Sequence, residues 1–231
     1  MQIHGLNKTT LLDYPEHVAA TVFVGGCNFR CPFCHNSDLV LNPSSQPMIE
    51  ETEILDFLRK RKNVLTGVCI TGGEPTLQSD LERFIRQIKE MGYLVKLDTN
   101  GYRPDVLRSL TEQNLIDYIA MDIKSGETGY AEATGLADID MSKIKESIDF
   151  IMTCGVQYEF RTTVVKGLHK KTDFEEIAGL IKGCDKYFLQ NYKDNENVIL
   201  PGFAGFSKEE LEEFAEVVRP YVENISLRGI D

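Results

Sequence analysis

The 231-residue sequence has no excess of basic residues, no long apolar run and no segment of biased composition. Its formal net charge is −11, and nucleic-acid binders usually carry a basic surface that releases counterions, so a nucleic-acid partner is disfavoured. No apolar run approaches the roughly 20 residues that span a bilayer, and residues 1–5 lack the basic and then apolar plan of a signal peptide. We therefore expect a cytoplasmic protein that binds neither nucleic acid nor a membrane.

Short apolar runs rich in β-branched residues alternate with amphipathic segments along most of the chain. This order is typical of βα units on a parallel sheet. The predicted strands are 17–24, 67–71, 93–98, 118–123, 158–165 and 186–191. The predicted helices include 50–62, 81–91 and 141–154, and a further helix begins at Pro104. The sequence therefore predicts the α/β class, with six repeats that form a partial (β/α)6 barrel of the TIM-like kind.

The domain organisation follows from the lack of any linker rich in glycine, serine or proline. We expect a single domain over residues 1–231, with its barrel core at 17–200. Residues 1–16 form an N-terminal extension in this interpretation, and residues 1–12 are predicted to fold as a small hairpin. Residues 201–231 are predicted to add a C-terminal helix and strand.

Three cysteines directly follow the first predicted strand. Cys27, Cys31 and Cys34 form a C-x3-C-x2-C array, and Pro32 opposes a continuous helix through it, so the segment is expected to curl as a loop. Three thiolates from one loop suit a soft metal centre, and a cubane iron–sulfur cluster normally takes four cysteines. No fourth cysteine lies nearby, which leaves one iron open to another ligand. The other cysteines, Cys69, Cys154 and Cys184, are interpreted as small buried residues.

Two other interpretations of the cysteine array remain open from the residues alone. His35 directly follows Cys34 and could complete a zinc site, although the two adjacent side chains would both have to turn onto one ion. The thiols could also be buried without a metal. A zinc-stabilised or redox-sensing binding module is therefore the non-enzymatic alternative.

The array C-x3-C-x-aromatic-C, with Phe33 in the aromatic slot, resembles the signature of the radical S-adenosylmethionine superfamily. The resemblance implies a [4Fe–4S] cluster on Cys27, Cys31 and Cys34, whose open iron is chelated by the amino and carboxylate groups of S-adenosylmethionine. It further implies that the reduced cluster cleaves the sulfonium to methionine and a 5′-deoxyadenosyl radical. In that case the radical is generated by the cluster and S-adenosylmethionine, and the protein binds and orients them.

Polar motifs at three later strand ends resemble the S-adenosylmethionine site of the same superfamily. Thr71–Pro75 is similar to the G-G-E-P motif, which implies that Gly72, Gly73 and Glu74 hold the methionyl amino group. Segments 98–101 and 121–124 are similar to the D-T-N-G and D-x-K segments of glycyl-radical-enzyme activases. That likeness implies that Asp98, Thr99 and Lys124 line the carboxylate and ribose of S-adenosylmethionine. Arg161, on the next strand, resembles an arginine that such activases place near the same pocket. Some relatives hold a monovalent cation beside the aspartate.

Within the superfamily, the segments Asp13-Tyr14-Pro15 and Cys34-His35-Asn36 are most similar to those of the activating proteins of anaerobic ribonucleoside-triphosphate reductase. The resemblance implies an oxidoreductase that installs a glycyl radical on this large partner, with flavodoxin or ferredoxin as electron donor. The alternatives are an activase of pyruvate formate-lyase or another glycyl-radical enzyme, and a radical enzyme that acts on a small molecule such as a pterin. A second cluster is not expected, because the three remaining cysteines stand alone.

Overall fold

The computed structural model describes residues 1–195 and 197–230, and all statements below concern these residues. The strands are β1 (Ile3–Thr10), β2 (Ala19–Val24), β3 (Gly67–Gly72), β4 (Leu94–Thr99), β5 (Tyr118–Asp122), β6 (Gln157–Val164), β7 (Lys186–Asn191) and β8 (Asn224–Arg228). The helices are α1 (Ser37–Leu41), α2 (Glu51–Arg61), α3 (Leu81–Glu90), α4 (Pro104–Glu112), α5 (Tyr130–Thr134), α6 (Met141–Thr153), α7 (Lys171–Leu180) and α8 (Lys208–Val218).

The chain forms two compact units, and the first comprises residues 1–28, 38–99 and 103–119. In this unit β1 is antiparallel to β2, and β2, β3 and β4 are parallel neighbours in chain order. The register places Thr21 of β2 beside Cys69 of β3, and Cys69 beside Lys96 of β4. Helix α3 shows why these elements pack: its apolar residues at i, i+3, i+4 and i+7 are all buried.

The second unit comprises residues 29–37, 100–102 and those from 120 onward. Its strands β6, β7 and β8 are parallel neighbours, and Arg161 of β6 lies beside Phe188 of β7. Phe174 of α7 stacks on Phe214 of α8 with ring centroids 4.5 Å apart. Helix α8 begins with a capping box in which the Ser207 hydroxyl accepts from the N–H of residue 210.

The six predicted strands correspond to β2–β7, and their observed ends lie within two residues of the predicted ones. The α/β class with parallel strands is confirmed, as are the C-terminal helix and strand. The division into a single domain with a barrel core at 17–200 stays a prediction. Within the described residues, no helix combines the length and the apolar character needed to cross a membrane.

Two local predictions were wrong. Residues 1–12 do not form a hairpin by themselves: they supply the single strand β1, whose antiparallel partner is β2. The hairpin is therefore formed by β1 and β2 and closes later in the chain than predicted. The turn between the two strands contains Glu16 at φ 66°. Cys69 and Cys184 are buried as expected, but Cys154 is partly exposed because it caps the C-terminal end of α6.

Candidate active site

In the first unit, the loop after β3 lies directly against the loop after β2. The N–H of Glu74 donates to the carbonyl oxygen of Gly26 at 2.8 Å. A Cβ atom at Gly73 would stand 2.0 Å from the same oxygen, and Gly72 adopts φ 112°, which favours glycine. The two glycines therefore allow the Gly-Gly-Glu-Pro turn to contact the residue that precedes Cys27.

The carboxylate of Glu74 is buried and connects two of the predicted motifs. Its Oε1 atom accepts hydrogen bonds from the Thr76 N–H at 3.1 Å, the Thr76 hydroxyl at 2.6 Å and the Thr99 hydroxyl at 2.9 Å. Glu74 is only 1% exposed, and hydrogen bonds to an ionised acceptor are the strong ones. The structure thus brings Glu74 and Thr99 together, as the sequence predicted, and joins them by their side chains.

Asp98 contacts a residue that the sequence analysis missed. Lys96 precedes it by two positions, so both side chains lie on one face of β4, and the Lys96 ammonium forms an ion pair with Asp98 Oδ1. The Cys69 thiol lies 3.7 Å from the same carboxylate oxygen. The sequence did contain a signal for Lys96: it is a lysine inside an apolar strand, and a buried charge requires a partner.

In the second unit, Cys31 and Cys34 are held close together by their backbone, since the Cys34 N–H donates to the Cys31 carbonyl at 3.0 Å. Burial raises the pKa of the Cys31 thiol to about 11, although the positive charge of Lys124 opposes that shift. Burial also raises the pKa of Cys34. Phe33, which lies between these cysteines in the chain, is buried. Lys124 therefore favours the thiolate form that metal binding requires.

Lys124 and Arg161 share a single carboxylate, that of Asp122. Lys124 Nζ lies 2.9 Å from Asp122 Oδ2, and Arg161 Nε lies 2.6 Å from Asp122 Oδ1. Burial alone would raise the pKa of Asp122, but Arg161 and Lys124 hold the pKa well below its usual range. Asp122 stands within the D-x-K segment, yet it was not among the predicted site residues. Arg161 Nη1 also lies 3.9 Å from Glu159 Oε1, so Arg161 contacts two carboxylates.

His169 is a second residue of this unit that the sequence did not single out. Its Nδ1 accepts from the Val165 N–H at 3.0 Å, so Nε2 carries the proton and donates to the Lys124 carbonyl at 2.8 Å. The ring centroid lies 6.4 Å from that of Phe33. Burial lowers the pKa of His169. This neutral histidine therefore connects the backbone of Lys124 with the aromatic residue of the cysteine motif.

The segment after β7 packs on the second half of the cysteine loop. His35 Nε2 lies 2.8 Å from the Lys193 carbonyl oxygen, and the ring stacks on Tyr192 with centroids 5.3 Å apart. The Leu200 N–H donates to the Pro32 carbonyl at 2.8 Å. No role was predicted for residues 191–193, and the structure shows that they support the loop around Cys34.

The cysteine sulfurs of the motif can be compared with the ligands that an iron–sulfur cluster requires. All six cysteines are free thiols, and the motif offers three sulfur donors with no fourth cysteine beside them. Cys27 belongs to the first unit, and Cys31 and Cys34 belong to the second. In the described part of the chain, no three His, Cys, Asp or Glu side chains already stand in the arrangement of a single-ion site. The donor chemistry fits a cluster with one open iron, and the ligand assignment rests on the motif.

Comparison with known proteins shows the family to which this chain belongs. The Radical SAM superfamily matches residues 21–181. A Methanocaldococcus jannaschii protein, provisionally named as a glycyl-radical enzyme activating enzyme, is 35% identical over 240 residues that cover 99% of this chain and 96% of the relative. The pyruvate formate-lyase-activating enzyme of Clostridium pasteurianum is 28% identical over 188 residues, which cover 78% of this chain and 76% of that enzyme.

Among solved structures, Streptococcus suis SuiB bound to S-adenosylmethionine matches with a TM-score of 0.67 and 15% sequence identity. The match covers 90% of this chain and 52% of SuiB, so the chain spans about half the length of that protein. At this identity the likeness concerns the fold alone.

The family match over residues 21–181 and the similarity to the M. jannaschii protein along almost the whole chain define the class of this protein. The chain belongs to the radical S-adenosylmethionine superfamily and, within it, to the family of glycyl-radical enzyme activating enzymes. Membership of the superfamily implies a [4Fe–4S] cluster and S-adenosylmethionine as cofactors.

Proposed function

We propose that this chain installs a glycyl radical on a large partner enzyme, and that the partner is anaerobic ribonucleoside-triphosphate reductase. The main support for this proposal is the contact between the Gly73 turn and Gly26. Through this contact the Gly-Gly-Glu-Pro motif lies beside the loop of Cys27. The full-length similarity to the M. jannaschii protein supports the same class of activity. The choice of reductase as partner rests on residues 13–15 and 34–36 of the sequence.

In this proposal Cys27, Cys31 and Cys34 bind three irons of the cluster and leave the fourth iron for S-adenosylmethionine. A reduced cluster held there would supply the one electron needed to cleave S-adenosylmethionine to methionine and a 5′-deoxyadenosyl radical. Phe33, which lies between Cys31 and Cys34 in the chain, is buried, as is Cys31, and would shield the cluster from water.

The Gly72–Glu74 turn binds the methionyl ammonium. Backbone carbonyls suit this task because an ammonium donates three hydrogen bonds and accepts none. The Glu74 carboxylate already accepts from Thr76 and Thr99, so it orients the turn and adds negative charge near the bound ammonium.

The other end of S-adenosylmethionine is assigned to the remaining residues of the predicted motifs. Lys124 and Arg161, which both pair with Asp122, would attract the methionyl carboxylate through their positive charges. Asp98 and Thr99 at the end of β4 orient the ribose. A monovalent cation beside Asp98 would have to compete with the ammonium of Lys96.

The complete reaction balances with one external electron. One electron, S-adenosylmethionine and a glycine residue give methionine, 5′-deoxyadenosine and a glycyl radical, since the Cα hydrogen atom moves to C5′ of the nucleoside. Flavodoxin or ferredoxin is the proposed donor of that electron.

The test uses the anaerobically reconstituted chain, reduced flavodoxin, S-adenosylmethionine and a reductase labelled with deuterated glycine. We expect a glycyl radical signal in electron paramagnetic resonance and one deuterium atom in each 5′-deoxyadenosine formed. Cys31→Ala should abolish both signals, whereas Cys154→Ala, a change at the partly exposed end of α6, should retain them. Deoxyadenosine without deuterium and without a radical on the reductase would refute the proposed partner.

Pyruvate formate-lyase is the second candidate partner, and the similarity to the C. pasteurianum enzyme favours it. The same assay with labelled pyruvate formate-lyase separates the two candidates, because only the true partner should acquire the radical. Turnover of a small molecule in the absence of either partner would instead indicate a radical enzyme with a small substrate.

A further inference from the structure

The side chain of Lys96 is almost completely buried in the interior of the first unit. It points from the middle of β4 and is 2% exposed. The ammonium forms an ion pair with Asp98, lies 3.9 Å from the Cys69 sulfur and stands 6.0 Å from the centroid of the Tyr118 ring. Burying an ammonium costs several kcal/mol unless a counter-charge compensates it. Asp98 supplies that counter-charge.

Lys96 and Asp98 lie near the carboxyl end of β4, where the proposed ligand site begins. Lys96 lies two residues before Asp98, so it stands one step deeper on the same face of β4. The Asp98 side chain is 14% exposed, against 2% for Lys96. The next residue, Thr99, donates to Glu74 of the turn that we assign to the methionyl ammonium. Asp98 is therefore the more exposed member of the pair and stands nearer the carboxyl end of β4, and Lys96 lies deeper in the unit.

We propose that Lys96 is a positioning residue that serves as a built-in monovalent cation for Asp98. Its ammonium neutralises the buried side of the carboxylate and holds it in the orientation that binds S-adenosylmethionine. Lys96 itself does not touch the ligand. This inference rests on the proposed role of Asp98 in binding S-adenosylmethionine, and it assigns to a side chain the charge that a bound metal cation would otherwise provide.

The experiment asks whether S-adenosylmethionine binding requires an added monovalent cation. The dissociation constant is determined with the cluster-reconstituted enzyme, first with tetramethylammonium as the only added monovalent cation and then with potassium or ammonium. We expect the unaltered chain to bind equally well in all three salts. A requirement for potassium or ammonium in the unaltered chain would overturn the proposal.

Lys96→Met removes the charge and keeps the length of the side chain. We expect its affinity for S-adenosylmethionine to fall by roughly tenfold in tetramethylammonium, because one partner of a buried ion pair is lost. Potassium or ammonium, which are small enough to approach Asp98, should recover part of that loss. Unchanged affinity in Lys96→Met, or a loss that neither small cation reduces, would contradict the role.

Two further variants separate this role from a general effect on folding. In the double variant Lys96→Met/Asp98→Asn no carboxylate remains to bind a cation, so affinity should be low and the same in every salt. Lys145→Met removes a lysine from an exposed ion pair with Glu127 and should leave affinity unchanged. If Lys96→Met does not fold, the salt series on the unaltered chain still decides the question.

These measurements need no partner protein. Normal binding and cleavage of S-adenosylmethionine with no radical on any partner would therefore refute only the proposed function. A glycyl radical formed by a Lys96→Met enzyme with unchanged affinity would refute only the role of Lys96.

Discussion

The Thr99 hydroxyl donates to the Glu74 carboxylate at 2.9 Å, and this bond joins the ends of β3 and β4 inside the first unit. Thr99→Val keeps the shape of the side chain but removes the donor. We expect a loss of about 1–3 kcal/mol in the free energy of unfolding, the usual range for a hydrogen bond to a charged group. Affinity for S-adenosylmethionine should fall with it. Denaturant titration and ligand binding measure both effects, and Thr99→Ser, which retains the hydroxyl, should recover most of each.

The contact between Gly73 and Gly26 leaves no room for a side chain. Because a Cβ atom at position 73 would stand 2.0 Å from the Gly26 oxygen, Gly73→Ala should force the two loops apart. We expect destabilisation of about 3 kcal/mol and loss of S-adenosylmethionine binding. The measurements are thermal unfolding and equilibrium binding.

Gly179→Ala is the matched control for this substitution. Gly179 lies in α7, and a Cβ atom there would meet nothing within 4 Å. Alanine should stabilise the helix by about 0.5–1 kcal/mol. Equal losses in the two variants would show that the Gly73 contact has no special importance.

The shared carboxylate of Asp122 predicts a response to acid. Because Arg161 and Lys124 hold its pKa below the usual range, ionised Asp122 contributes stability at pH values above about 4, the ordinary pKa of aspartate. This contribution is lost only as the pH falls further, through the lower pKa of the folded state. Asp122→Asn should therefore cost about 1–3 kcal/mol at pH 7, and the difference from the unaltered chain should shrink toward pH 2. A constant difference across that range, in denaturant titrations, would contradict the pairing.

His169 predicts a second response to pH, in a different range. Burial lowers the pKa of His169, so below about pH 6.5 the unfolded chain takes up a proton that the folded chain does not bind. Stability should therefore fall as the pH is lowered from 7.5 to 5.5, by up to about 1 kcal/mol from this residue. His169→Asn should reduce this slope, as measured by denaturant titration at several pH values. His17→Asn, a change at a less buried histidine, should leave the slope intact.

Much of the candidate site could be predicted because parallel βα units place the carboxyl ends of their strands at one edge. Cys27 follows β2, and Gly73 and Glu74 follow β3, which ends at Gly72. The contact of this turn with Gly26 agrees with that expectation. His169 could not be found in this way, since a single histidine after β6 carries no spacing signal. Its hydrogen bond to the Lys124 carbonyl joins residues 45 positions apart in the chain. Lys96 was missed for another reason: its strand was interpreted as an apolar run.

The amino-acid sequence by itself determined the alternation of strands and helices, the cysteine array and the order of the polar motifs, because these depend on local periodicity and on spacing along the chain. Only the tertiary structure decided which charges pair. Arg161 meets Asp122 across 39 residues, and Thr99 meets Glu74 across 25 residues. Such pairs depend on strand register and on distances of a few ångströms between side chains, and neither quantity is encoded in any short segment of the chain.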